Sequence, residues 1–199
     1  VNSVVIKTNA FVFIYKEYGS GIVDKVINHH RLNGGISRYK KFEYYHNTFL
    51  NYKLNSNELD ALDEKFSNYV VNKVVNCAEI VGAHDFLKKN YKEKHLFINS
   101  ATPVNEINKI VDLKRWRHYF RGVYGSPNSK VENIYNILEG AEVGEDKKHN
   151  LSIFFGDARS DYIAAVETGV EFVLIDHSNP PFPGQDKIQY KLTNFLPLL

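Results

Sequence analysis

Asp157 and Asp161 stand four residues apart, directly behind an apolar run at 151–155 that stops at Gly156. A short, continuous apolar run bounded by a turn signal reads as a buried strand. The pattern from Tyr162 to Thr168, closed by Gly169, is helical. Asp157 is therefore expected at the end of a strand, and Asp161 in the first turn of the next helix. In an open parallel sheet that edge is where ligands bind. Two carboxylates there suit a hard cation such as Mg²⁺, which keeps several waters and takes one or two carboxylates plus phosphate oxygens. The same two acids would also serve as helix caps that complement the dipole, with no metal involved.

Two further positions suit phosphate chemistry. Ser100 follows an apolar stretch at 95–99 and precedes Ala101, Thr102 and Pro103. A hydroxyl beside the N–H groups of a helix start makes an anion cradle. Thr102 before Pro103 also has the simpler reading of an N-cap followed by proline at the first helical position. Lys130 is expected in the first turn of a helix capped by Ser129, with Glu132 completing a capping box. The helix dipole disfavours a cation at that place, which makes sense if a bound anion faces it. A solvated surface lysine is the alternative.

The elements that must position these residues fall into two halves. Residues 1–78 read as helical. Phe11, Ile14, Tyr15 and Tyr18 form one apolar face of a helix over 7–18, and Gly19-Ser20-Gly21 breaks it. Further helices are expected over 22–33, ending at Gly34-Gly35, over 37–50, and from the cap cluster Asn55-Ser56-Asn57 through Val74. Beyond Val81-Gly82-Ala83, strand and helix patterns alternate, as in an α/β parallel sheet. Helices are expected over 84–90, 102–111, 113–120 and from Ser129, and strands over 95–99, 122–124, 151–155 and 171–175. Residues 140–150 read as a polar loop, and 188–199 as a short strand and terminal turn.

Composition narrows the partners. A net charge of +2 without a long basic run argues against nucleic acid as the main partner. No apolar run reaches the ~20 residues of a membrane span. The single cysteine, Cys77, forms no internal disulfide, and the composition suits a reducing cytoplasm. The eight histidines show no metal-ligand spacing. Aromatic residues make up 14% of the chain, and those of the helical half, such as Tyr39, Phe42, Tyr44 and Tyr45, are expected in its core or lining a cleft.

Three segments in this order, Asn99-Ser100-Ala101-Thr102-Pro103, Tyr124-Gly125-Ser126-Pro127-Asn128-Ser129-Lys130 and Gly156-Asp157-Ala158-Arg159-Ser160-Asp161, resemble the second, third and fourth motifs of the haloacid dehalogenase-like hydrolases. The branch they most resemble holds phosphoglycolate phosphatases and β-phosphoglucomutase. The resemblance covers most of the chain. It implies a Rossmann-like α/β parallel-sheet core over 79–199, with an inserted helical cap over 1–78 and the tail of the first core motif at 1–4. It implies that Ser100, with Ala101 and Thr102, binds the transferring phosphoryl group, and that Lys130 neutralises it. Asp157 would ligate Mg²⁺, and Asp161 would ligate it through water or orient Lys130. Gly35-Ile36-Ser37-Arg38 is similar to the cap loop in which an arginine meets the substrate's non-reacting end, so Arg38 is the implied recognition residue.

One departure bears on activity. The family's first motif is an Asp-x-Asp pair on the central strand, whose first Asp is the nucleophile. Val1-Asn2-Ser3 is similar to the tail of that motif, yet the earliest aspartate is Asp24, inside an expected cap helix. The expectation is therefore a fragment whose nucleophile and central strand precede Val1, or a site completed by another segment or chain. The activity implied is a Mg²⁺-dependent phosphatase for a small phosphorylated metabolite, such as a sugar phosphate, working through a phospho-aspartate. A phosphomutase of the same family, or a catalytically inactive phosphate-binding module, are the alternatives.

Overall fold

The computed structural model describes residues 3–140, 152–176 and 181–199. The loop expected at 140–150 lies almost wholly outside them, as do His177 and the first residues of the Pro-rich loop at 179–184.

The helical half begins with α1 (Val4–Tyr15), which buries Ala10, Phe11, Ile14 and Tyr15 on one stripe. The expected helix reached Tyr18, but the chain tightens into a 3₁₀ turn at Lys16–Tyr18 and reverses at Gly19, where φ is +86°. Only glycine takes that conformation without a steric penalty. Helices α2 (Ser20–Leu32) and α3 (Arg38–Phe49) follow. Helix α4 (Ser56–Val75) starts at the expected cap cluster: Glu58 N–H donates to Asn55 Oδ1 at 3.0 Å, and Asn55 N–H to Glu58 Oε2 at 2.9 Å. These four helices enclose an aromatic core, in which the Phe11 ring meets Phe42, Tyr45 and Phe66 at centroid distances of 5.7, 5.6 and 4.9 Å. Ile110, from the other half of the chain, joins the same cluster.

The second half runs α5 (Ala83–Asn90), β1 (Phe97–Pro103), α6 (Val104–Leu113), β2 (Gly122–Ser126), α7 (Lys130–Gly140), β3 (Ile153–Gly156), α8 (Arg159–Thr168), β4 (Glu171–Ile175) and β5 (Tyr190–Leu192). Among the described residues all strand pairs are parallel, and they form two sheets, β1 with β2 and β3-β4-β5. This is the α/β architecture with helical additions that the alternation implied. β1 and β3, which the resemblance places on either side of a central strand, are not paired with each other. Ile134 and Leu138 of α7, Ala164 and Ala165 of α8, and Phe172 and Leu174 of β4 make a second core.

Two expectations are corrected here. The aromatic stretch at 113–120 is not a helix. Arg115 turns into the left-handed region at φ +58°, and only a 3₁₀ turn, Arg117–Tyr119, follows. The helix expected from Thr102 starts at Val104 instead. Thr102 and Pro103 stay extended because Pro103 remains in register with Ser126 of β2. Among the described residues no helix is long and apolar enough to cross a membrane.

Candidate active site

Ser100 sits where β1 loosens from β2. The ladder is regular to Asn99–Tyr124, loses register, and resumes only at Pro103–Ser126. Within that irregular stretch Thr102 N–H donates to Ser100 Oγ at 3.1 Å. Gly125 lets β2 press against this segment. A Cβ there would fall 2.5 Å from the Thr102 carbonyl oxygen and 2.8 Å from Val104 Cα.

Lys130 opens α7 behind the expected capping box, with Glu132 N–H donating to Ser129 Oγ at 3.2 Å and Ser129 N–H to Glu132 Oε2 at 2.6 Å. Its backbone is tied to β1: Asn99 Nδ2 donates to the Lys130 carbonyl at 2.9 Å, and Asn133 Nδ2 to Asn99 Oδ1 at 3.0 Å. The side chain runs to the other sheet. Lys130 Nζ donates to Asp161 Oδ1 at 2.5 Å and to Ser160 Oγ at 3.1 Å, with Lys130 and Asp161 only 11% and 6% exposed. The N-terminal lysine of α7 is thus neither solvated nor aimed at its own helix dipole.

Asp161 serves two ends at once. Its Oδ2 accepts the Ala158 N–H at 3.1 Å while Oδ1 holds Lys130. The capping contact is realised, and the same carboxylate also anchors Lys130. Gly156 makes this possible, because a Cβ there would lie 2.3 Å from Asp161 Cβ. Asp157 lies just past β3. Burial, then the Asp161 charge, pushes its carboxyl above the ordinary value, while Lys130 and Lys7 oppose that rise. The Asp157 carboxyl thus lies within electrostatic reach of Asp161, Lys130 and Lys7.

The helical half contributes groups that sequence reading did not single out. Lys7 of α1 lies within electrostatic reach of Asp157, Glu106, Lys130 and Arg38, and burial pulls its ammonium downward. It precedes Phe11 by four residues, so the helical face was a usable signal for it. The turn before α3 closes over the site: Ser160 Oγ donates to the Gly34 carbonyl at 3.4 Å. Gly35, at φ +76°, has no room for a Cβ, which would sit 2.0 Å from Ser160 Oγ and 2.9 Å from Lys130 Nζ. In α3, Lys41 is 2% exposed and donates to His30 Nδ1 at 2.9 Å.

Arg38 is committed to the protein. Its Nε pairs with Asp63, its Nη2 donates to Ser67 Oγ at 2.7 Å, and its Nη1 lies 2.8 Å from Glu106 Oε2. Ser67 Oγ in turn donates to Glu106 at 2.5 Å. Arg38 therefore ties α3 and α4 to α6 at the edge of the site, and its guanidinium is spent on those contacts.

Two carboxylates at a strand end fit what Mg²⁺ requires of a protein. Asp157, whose charge is disfavoured by burial and by Asp161, is the group that a divalent cation would relieve. Both Asp161 oxygens already accept hydrogen bonds, which suits orientation of Lys130 or contact through a metal-bound water. Among the described residues, no set of three or more His, Cys, Asp or Glu side chains converges on one point.

The fold is similar to that of solved haloacid dehalogenase-like hydrolases. No protein-family profile and no curated protein sequence matches the chain; the likeness is to solved structures. A haloacid dehalogenase-like hydrolase from Streptococcus pneumoniae superposes with a TM-score of 0.71 at 18% identity, over 99% of this chain and 90% of that one. A predicted phosphoglycolate phosphatase from Haemophilus somnus gives 0.72 at 14% identity, again over 99% and 90%. YfnB from Bacillus subtilis, described as a HAD-hydrolase bound to magnesium, gives 0.66 at 12% identity, over 100% and 91%.

Proposed function

We propose that this chain is the cap and core of a Mg²⁺-dependent phosphatase that hydrolyses a monoester of a small phosphorylated metabolite, such as a sugar phosphate. The observation that carries the proposal is the Lys130 ammonium, held between Asp161 and Ser160 and brought across from the sheet that bears Ser100. A buried lysine anchored by a carboxylate, beside a second carboxylate whose charge is disfavoured, is a site prepared for an anion and a cation together.

Ser100 Oγ and the backbone of Ala101 and Thr102 would hold the phosphoryl oxygens, and Lys130 would neutralise their charge. Asp161 fixes the direction of the Lys130 side chain. Asp157 would hold Mg²⁺, which when bound spreads positive charge over the phosphoryl oxygens. Phosphoryl transfer depends mostly on such positioning and charge stabilisation. The reading calls for an aspartate nucleophile on a strand between β1 and β3 or on another chain. Its carboxylate oxygen would bond to phosphorus as the ester P–O bond breaks, and water would then release phosphate from the phospho-aspartate. The turn at Gly34-Gly35, seated on Ser160, would exclude bulk water while the substrate is bound.

The test is phosphate release from p-nitrophenyl phosphate and a panel of sugar phosphates, using the product of the whole reading frame with Mg²⁺. Turnover that is lost on chelation and in Lys130→Ala and Asp157→Asn is the expected result. A second reading, a phosphate-binding module without turnover, is favoured by the absence of a third converging carboxylate among the described residues. It predicts calorimetric phosphate binding that Lys130→Ala removes, with no release from any ester. Interconversion of sugar-phosphate isomers in the same panel would mark the phosphomutase variant.

A further inference from the structure

Helix α3 begins at the phosphate site. The turn before it seats Gly35 against Lys130 Nζ and Ser160 Oγ, and the first turn of α3, Arg38 to Lys41, follows at once. A helix N-terminus draws anions through its free N–H groups and its dipole. It ordinarily carries a side-chain cap or an acid. This one has neither: Ser37, at the N-cap, makes no side-chain capping bond, and no acidic residue lies in the first turn.

The second observation is Lys41. It is 2% exposed, and lysine is almost never so deeply buried unless an acid pairs with it. Arg38, one turn earlier, has such acids in Asp63 and Glu106. Among the described residues Lys41 has none. Its ammonium donates to His30 Nδ1 at 2.9 Å and lies 5.8 Å from the centroid of the Phe11 ring. An ammonium has three N–H donors, so two are left over. The charged groups that bear on it are Lys7 of α1 and Lys130 of α7, both cations; with burial, they lower Lys41 to about 7. His30 of α2, lowered to about 3, stays neutral. The nearby acids are engaged elsewhere, Asp161 by Lys130 and Glu106 by Arg38. A buried cation among other cations is costly, and an anion bound beside it would remove that cost.

We propose that Lys41, with Lys7 and the N-terminus of α3, forms a second anion subsite on the helical side of the phosphate site. The substrate would then carry a second anionic group, a carboxylate or a further phosphate, at the end away from the transferring phosphoryl group. The inference rests on the phosphate reading of Ser100 and Lys130 and narrows its substrate class to phosphate esters with an anionic far end.

The experiment is calorimetry at pH 6, where Lys41 is protonated, on the product of the whole reading frame with Mg²⁺. The ligands are phosphonates, which the site cannot hydrolyse. The series from 3-phosphonopropionate to 5-phosphonopentanoate, and the bisphosphonates of the same lengths, are each compared with the plain alkylphosphonate. At least one doubly anionic ligand is expected to bind about tenfold more tightly than its plain counterpart, as one charge-assisted hydrogen bond allows. The carboxylate and bisphosphonate arms show which group the subsite takes. Lys41→Met should bring the paired affinities together, and Lys41→Arg should keep them apart. Because Lys41→Met removes a buried charge that no acid answers, its melting temperature should not fall, which separates loss of the subsite from loss of the fold. Equal affinities in every pair, or a preference that survives Lys41→Met, would overturn the subsite and leave the phosphate site standing. Binding of none of the phosphonates would overturn both.

Discussion

Lys130 Nζ and Asp161 Oδ1 are 2.5 Å apart, although one residue opens α7 behind β2 and the other lies in the first turn of α8 behind β3. The pair joins two sheets whose strands do not hydrogen-bond to each other. Both side chains are nearly buried, and each is the other's ion-pair partner. Removing one partner of such a pair leaves an uncompensated buried charge, at a cost of about 3–5 kcal/mol. Lys130→Ala should therefore lower the melting temperature strongly, and Lys130→Ala with Asp161→Asn should recover much of that loss. Neither variant should release phosphate. Thermal denaturation of the two single variants and the double variant, read as a cycle, checks the coupling.

Asp157 should make the metal visible in stability. Its folded carboxyl is raised by burial and by Asp161. A raised acid favours the fold below its unfolded value, about 3.9, and that contribution is lost as pH rises through the folded value. At neutral pH the charged Asp157 is thus unfavourable without a cation. Asp157→Asn should raise the melting temperature in chelator, by about 2–4 °C for each kcal/mol relieved. Mg²⁺ should raise the melting temperature of the parent protein and leave that of the Asn variant unmoved.

Lys41 and His30 predict a slope in the opposite direction. Burial, reinforced by Lys7 and Lys130, lowers Lys41 from 10.5 to about 7. Burial first, then Lys41, brings His30 to about 3. The unfolded chain binds more protons than the folded one between those folded values and the ordinary ones, so stability rises with pH there. For Lys41 the window runs from about pH 7 to 10.5. Lys41→Met should stabilise the protein at pH 6 and flatten the rise above pH 7, measured by urea denaturation across pH.

Arg38 separates two roles that one position can fill. Its pairs with Asp63 and Glu106 predict that Arg38→Met and Glu106→Gln destabilise the protein together, by about 3–5 kcal/mol for a broken buried pair. Both variants should raise KM by the same factor if Arg38 acts by holding α3 against α6. A rise in KM confined to Arg38→Met would instead place the guanidinium on the substrate.

Gly35 and Gly156 are predicted to be intolerant for different reasons. Gly35→Ala meets both a positive φ and Ser160 Oγ, whereas Gly156→Ala meets Asp161 Cβ at 2.3 Å. Forced overpacking costs about 1–3 kcal/mol. Gly156→Ala should also weaken the hold of Asp161 on Lys130, and so lower kcat in residual folded protein. Gly21→Ala, with nothing within 4 Å of its added Cβ, is the neutral control in chemical denaturation and phosphate-release assays.

The sequence by itself determined the features that rest on neighbours along the chain. The capping pairs Asn55–Glu58 and Ser129–Glu132 are three residues apart, so their chemistry is local and was legible. The stripe Phe11-Ile14-Tyr15 and the strand at 171–175 carry their periodicity in the same way. The order of Ser100, Lys130, Asp157 and Asp161 was legible as motifs. The tertiary structure decided what those residues touch. Arg38 and Glu106, Asn99 and Asn133, and Gly35 and Ser160 meet only because distant segments fold together. A helical period states which face is buried but not what lies across from it. That is why Lys7 and Lys41 were missed, why Arg38 is engaged by carboxylates, and why Asp161 is both a cap and an anchor. The perturbed carboxyl of Asp157 and ammonium of Lys41 have the same origin, since desolvation exists only once the helices have closed over the strand ends.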